Sequence, residues 1–328
     1  MGHNVYITRQ IPEAGIRFLR DRGVDVEVNP HDRSLSTDEL RGVAAGRDGL
    51  CAMLSDPIDA GILEAAAPRC RVIANYAVGF NNIDVSAATA RGIVVTNTPG
   101  VLTEATADLT WALLLAVTRR IVESDPLVRS GRWTGWAPLQ YLGRDVYGAT
   151  LAVVGAGRIG TAVARRSVGF RMRVLYVARR DNPELDAMGA QRVELDEALR
   201  EADFVSLHVP LTPETHHLVG PQELAMMKPT AYLINTARGP VIDEAALVEK
   251  LRAGHIAGAA LDVYEEEPAL AVGLAELPNV VCVPHLGSAT HATRTRMAEM
   301  VAENLWAVLD GRRPANPVNP EVFKHSRL

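Results

Sequence analysis

Residues 150–180 read TLAVVGAGRIGTAVARRSVGFRMRVLYVARR, two apolar runs joined by a glycine turn and a helical stretch. Leu151 to Val154 is a short run rich in β-branched residues, too short for a lone helix and suited to a buried parallel strand. Gly155, Gly157 and Gly160 follow with the spacing G-x-G-x-x-G, then a helical stretch with Ile159, Val163 and Ala164 on one face, then a second apolar run, Val174 to Val177. A glycine pattern alone could be an ordinary turn. Flanked by two strands it marks a right-handed βαβ unit that binds a dinucleotide. The first glycine permits the tight turn, the second admits backbone close to a pyrophosphate, and the third lets helix and strand pack. Arg158, Ile159 and Gly160 then supply the helix N-terminus that faces the phosphate charge.

The end of the second strand bears on which dinucleotide is held. An NAD site usually places Asp or Glu there, on the ribose 2′-hydroxyl. This chain has Ala178, then Arg179 and Arg180. No carboxylate repels a 2′-phosphate, and two guanidinium groups can grip one through charge-assisted hydrogen bonds. NADP(H) is the expected cofactor, with NAD(H) as the alternative.

The chain has 328 residues, long for one domain and comfortable for two. It is 48% hydrophobic and 22% charged, which excludes a disordered or fibrous protein, and its net charge of −5 argues against a nucleic-acid or membrane-surface role. Cys51, Cys70 and Cys282 lie in or beside apolar stretches without metal-ligand spacing, so buried thiols in a reducing compartment are expected, and no metal. The N-terminus lacks a signal-peptide core and no run suggests a membrane span, so a cytoplasmic location is expected. The ending Ser326-Arg327-Leu328 is a weak variant of a peroxisomal address, meaningful only in a eukaryote.

The first hundred residues alternate strands (Val5 to Thr8, Val24 to Val28, Gly49 to Leu54, Val72 to Asn75, Ile93 to Thr96) with helices, among them Pro12 to Arg22 and Asp59 to Ala66. Ser36 and Glu39 frame a capping box. This is a second doubly wound α/β unit without a glycine fingerprint, expected to be the substrate-side domain. Its turn at Ala77-Val78-Gly79-Phe80 follows a buried strand, where open sheets place ligands, and a glycine there frees N–H groups for an anion; a plain turn fits the fragment equally well. Thr98-Pro99-Gly100 marks the crossing into the dinucleotide domain. A long helix is expected over Thr103 to Arg129, with Leu109, Ala112, Leu113 and Ala116 inward, followed by the aromatic segment Arg132 to Gly148 with Trp133, Trp136 and Tyr141. Later strands are expected at Phe204 to Val209, Ala231 to Ile234, Gly258 to Leu261 and Val280 to Val283, and a last helix, Ala289 to Leu309, returns to the first domain. The expected domains are 1–99 with 286–328, and 100–285.

Arg238, Glu267 and His285 stand at or just beyond the carboxyl ends of strands in the second domain. Singly, each has a plain structural explanation. Together they provide what reduction of a 2-keto acid needs beside a hydride. An arginine clamps the carboxylate and polarises the carbonyl, a histidinium gives a proton to the forming alkoxide, and a carboxylate keeps that histidine charged and oriented.

The sequence resembles the D-2-hydroxyacid dehydrogenase family along nearly its whole length, and within it the glyoxylate/hydroxypyruvate reductases. The resemblance is carried by NYAVGFNNID, TNTPGVLTEATADLTWALLLA, VGAGRIG, NTARGPVIDEAAL, GAALDVYEEEP and VPHLGSAT. It implies an α/β protein of two doubly wound parallel-sheet domains around a cleft, one a Rossmann cofactor domain and the other a discontinuous, flavodoxin-like substrate domain. It assigns Arg238 to substrate binding, His285 to acid–base chemistry and Glu267 to partnering that histidine. It places the Val78 and Gly79 backbone on the substrate carboxylate and Leu54 along the pocket. Thr106, Thr236, Ala237, Asp262, His285 and Gly287 would lie along the cofactor, with Asp262 near the carboxamide. The implied assembly is a homodimer. A phosphoglycerate-dehydrogenase reading is less apt because an acid is expected at position 178, and formate dehydrogenases usually place Gln where Glu267 stands. The family fold also serves non-catalytic corepressors that sense NADP(H); the intact trio of Arg238, Glu267 and His285 favours an enzyme.

Overall fold

Five short segments of the first hundred residues pair into one sheet: β1 (Asn4–Ile7), β2 (Asp25–Val28), β3 (Gly49–Ala52), β4 (Val72–Asn75) and β5 (Val94–Thr96), in the order β2-β1-β3-β4-β5. All four pairings are parallel. β3 and β4 are buried throughout, as a strand covered on both faces must be, whereas edge strand β2 turns Asp25 and Glu27 to solvent. Ile16, Leu19, Met297, Val301 and Leu305 fill one core of this unit, and Leu40, Ile58, Ile62 and Leu63 fill another. The Ser36–Glu39 capping box is present, opening helix Thr37–Ala44.

The computed structural model describes residues 2–324; the Ser326-Arg327-Leu328 ending lies outside the described residues. The chain divides into one unit of Met1–Leu102 and Ala289–Leu328 and another of Thr103–Ser288. The second unit holds β6 (Thr150–Val154), β7 (Arg173–Val177), β8 (Gln191–Arg192), β9 (Phe204–Leu207), β10 (Tyr232–Asn235), β11 (Gly258–Leu261) and β12 (Val280–Cys282). They form one parallel sheet in the order β12-β11-β10-β9-β6-β7-β8. Strand order reverses between β6 and β9, and such a switch point opens a crevice at the carboxyl ends of the strands. Leu199, Leu224 and Leu247 belong to one core cluster of this unit, and Trp111, Leu114 and Val163 to another. Among the described residues no helix is long and apolar enough to cross a membrane.

Three expectations need correction. The stretch Thr103 to Arg129 forms two helices, Thr103–Thr118 and Ile121–Arg129. Arg120 between them takes φ 56°, a left-handed conformation rare for a residue with a side chain. The Thr118 carbonyl, which a continuing helix would have used, accepts from the Arg144 N–H instead. The buried side of the first helix includes Thr106, Thr110, Trp111, Leu114 and Val117, while Ala112 is exposed: two threonines face inward because their hydroxyls find partners there. Cys282 is also exposed, lying at the end of outermost strand β12, whereas Cys51 and Cys70 are buried.

Candidate active site

The glycine loop follows β6 at the switch point. Gly155 has φ 101°, and a Cβ there would stand 2.7 Å from the backbone of His208 and Val209, which leave the neighbouring strand β9. A Cβ on Gly160 would stand 2.1 Å from the Gly155 carbonyl oxygen, so the helix can pack on the turn only without one. Around Gly157 nothing lies within 4 Å of that position, and the open space fronts the first turn of helix Arg158–Arg166. The N–H groups of Arg158, Ile159 and Gly160 begin this helix and have no intrahelical acceptor. Crowding at Gly155 and Gly160 with room at Gly157 is the shape a pyrophosphate cradle requires, so these residues fit a bound dinucleotide.

The turn after β7 is braced against that loop. Asn182 donates to the Ala156 carbonyl (3.0 Å) and to Thr161 Oγ1 (2.8 Å), and its N–H bonds the Tyr176 hydroxyl. Ala178 is half-buried; Arg179 and Arg180 are exposed. Arg192, on β8, donates to the Ala178 carbonyl (3.0 Å) and pairs with Asp181 (2.8 Å). It brings a third guanidinium against this turn from a neighbouring strand, and a two-residue strand left no pattern by which to find it.

At β10 the chain passes into Thr236-Ala237-Arg238. Asn235 shapes this turn, accepting from the Ala237 N–H (3.0 Å) and donating to the Arg238 carbonyl (2.9 Å). Arg238 is half-buried and donates to the Ala237 carbonyl. Burial draws its pKa down and the charge of Glu267 opposes that, so the guanidinium stays cationic.

At β11 and β12 the site closes around a histidine. Asp262 is buried; its carboxylate accepts from the N–H groups of Leu286 (2.5 Å) and Gly287 (2.9 Å), and its carbonyl accepts from the His285 N–H (2.9 Å). These bonds hold His285 at φ 54°. Burial raises the pKa of Asp262, against the two N–H donors and the charge of His285. His285 Nδ1 lies 3.0 Å from Glu267 Oε2, and Glu267 Oε1 accepts from the Tyr264 N–H (3.1 Å). Burial pushes the Glu267 carboxyl upward, yet the bond and charge of His285, the Tyr264 N–H and the charge of Arg238 together bring it below the usual range. It is an anion beside an imidazole. Thr106 Oγ1 donates to the Gly287 carbonyl, and Thr110 Oγ1 links Thr106 to Thr236.

Arg238, Glu267 and His285 are therefore electrostatically joined within one unit, with Thr106, Thr236, Asp262 and Gly287 in one bonded frame beside them. Tyr264 was not singled out from sequence. Its N–H holds Glu267 and its hydroxyl donates to the Val283 carbonyl (2.9 Å), roles that an ordinary tyrosine in an acidic loop does not advertise.

In the other unit, the Val78 carbonyl accepts from Asn97 and the Gly79 carbonyl from Asn75, each at 2.7 Å. Among the described residues the Val78 and Gly79 N–H groups have no acceptor, so this turn offers donors to an anion. Leu54 is exposed on the loop after β3, which buried Asp56 anchors through the Met53 N–H and the Thr8 hydroxyl.

A model of the D-isomer specific 2-hydroxyacid dehydrogenase NAD-binding domain matches residues 111–287. The chain belongs to the D-2-hydroxyacid dehydrogenase family. It is 52% identical to a glyoxylate reductase of Thermococcus onnurineus, with 98% of each chain covered. Its fold is similar to that of a glyoxylate reductase from Paecilomyes thermophila, with a TM-score of 0.86, 32% identity and 98% and 99% of the two chains covered. It is also similar to an NADPH-dependent glyoxylate/hydroxypyruvate reductase from Sinorhizobium meliloti solved with NADP and malonate. There the TM-score is 0.85, with 34% identity and 97% of each chain covered.

Proposed function

We propose that this dehydrogenase reduces small 2-keto acids, glyoxylate and hydroxypyruvate first, with NADPH preferred over NADH. The observation that carries the reading is the Glu267–His285 pair, 3.0 Å apart, with the Arg238 charge acting on the same carboxylate. When bound, the nicotinamide cofactor supplies the hydride to the carbonyl carbon. Arg238 holds the substrate carboxylate and draws electron density toward the carbonyl oxygen. Glu267 occupies His285 Nδ1, which leaves Nε2 to carry the proton that the forming alkoxide takes. The product has D configuration where the new centre is chiral. In the other unit, the Val78 and Gly79 N–H groups are assigned to a carboxylate. The exposed side chains of Trp136, Leu139 and Leu142 are assigned to a second copy in a homodimer.

Glu267→Gln tests the proton step. An anionic carboxylate at this place favours a proton on the imidazole, and a neutral amide does not. The alkaline limb of the keto-acid reduction profile is expected to move to lower pH, while the rate well below that limb changes less. An unmoved profile removes Glu267 from this role.

Cofactor choice is tested by initial rates with glyoxylate, comparing NADPH and NADH in the native enzyme and in the Arg179→Ala/Arg180→Ala double variant. The native enzyme should work faster with NADPH. The variant should lose about tenfold or more in kcat/KM for NADPH and much less for NADH, since only NADPH carries the 2′-phosphate. Equal losses would make these arginines ordinary surface charge.

A further inference from the structure

We propose that His216, His217 and Glu265 form a site for one divalent transition-metal ion of the zinc type. One ligand atom from each lies within 4.8 Å of the others. His217 Nε2 is 2.5 Å from Glu265 Oε1, and the two imidazole rings stand 4.1 Å apart between centroids, tilted by 31°. Two imidazoles and one carboxylate, with a fourth position open, match the donor set of many zinc centres. Imidazole nitrogen selects zinc, nickel or copper over magnesium and calcium, which take oxygen ligands.

The site is built by the fold, since Glu265 lies 48 residues from His217. His217 takes φ 51°, rare for a residue other than glycine, and its N–H donates to the Pro240 carbonyl at 2.8 Å. This fixes the backbone where the two successive rings meet. The Glu265 carboxylate is held on its other side, where Oε2 accepts from the Glu244 N–H (3.3 Å), and the Glu265 N–H donates in return to Glu244 Oε1 (2.7 Å). Such outer contacts orient ligands before an ion arrives. The local charge also favours a cation. Glu244 and Glu265 each bond the other's main chain through a carboxylate oxygen, so two carboxyl groups share this corner. An ion at about 2.0–2.1 Å from each ligand atom replaces the proton between His217 and Glu265 and needs them to part by under about 1 Å. His216 is exposed and free to swing onto it.

The ion would tie two segments that flank the catalytic trio. His217 grips Pro240, two residues beyond Arg238, and Glu265 precedes Glu267 by two. Its expected effect is on the firmness of those segments. The site stands independently of the reaction proposed above.

Calorimetric titration of the metal-free chain with zinc chloride, paired with thermal unfolding, tests the site. One zinc per chain should bind saturably and raise Tm, and magnesium should not. His216→Ala removes an exposed ligand, so the metal-free Tm should hold while zinc affinity falls about tenfold or more and the Tm rise shrinks. Glu265→Gln should abolish both. Absence of saturable zinc binding would overturn the proposal, and so would equal affinity in the native chain and in His216→Ala, which would place the metal elsewhere.

Discussion

Replacing His285 with asparagine is expected to lower kcat for glyoxylate reduction by about 10²–10⁴-fold, the range a positioned general acid contributes. Asparagine is the informative choice because position 285 sits at φ 54°, and asparagine tolerates the left-handed region better than alanine. Its amide can still meet Glu267, whose carboxylate would otherwise lose that partner. The turn that presents it depends on backbone bonds from His285, Leu286 and Gly287 to Asp262, none of which uses the imidazole. Tm and NADPH affinity should therefore stay near native values while the chemical step slows. A loss below about tenfold would mean that water or another group protonates the alkoxide as well.

Much of this arrangement was legible in the sequence because it rests on local patterns. The strand, glycine turn, helix and strand of residues 150–177 can be read in a window of thirty residues, and the mostly apolar runs of β3, β4 and β9 mark strands buried on both faces. Arg238, Glu267 and His285 could be singled out because ionisable residues follow such runs, and the resemblance supplied their roles. What escaped depends on contacts between distant segments. The break at Arg120 is met by a bond from Arg144 to Thr118, and Arg192 reaches Ala178 from a strand of two residues. The hold of Asn235 on Arg238 looked like any strand end. His217 and Glu265 meet only because β9 and β11 flank β10 in the sheet. Cys282 sits in an apolar run yet is exposed, since a run does not say which strand will be outermost.

Arg238→Lys is expected to cost about 10²-fold in kcat/KM for the keto acid, although the charge is conserved. A planar guanidinium can meet a carboxylate with two parallel N–H bonds, while an ammonium is a compact point charge that makes no such fork. A misplacement of the substrate by about 1 Å is enough for a loss of this size. Burial adds to it, because burial already works against charge at this position and an ammonium, more strongly hydrated, suffers more from it. Lysine still places a cation near Glu267, whose low pKa rests partly on the Arg238 charge. The pH–rate profile should thus keep its shape and drop uniformly, in contrast to the shift expected of Glu267→Gln. Asn235 fixes the main chain at this turn, bonding the Arg238 carbonyl and the Ala237 N–H, so the lysine should start from an undisturbed backbone. If lysine matched arginine, a single positive charge would suffice to hold the substrate, and the paired hydrogen bonding assigned to Arg238 would be wrong. If the profile shifted instead of falling, Arg238 would be acting through the Glu267–His285 pair and not on the substrate.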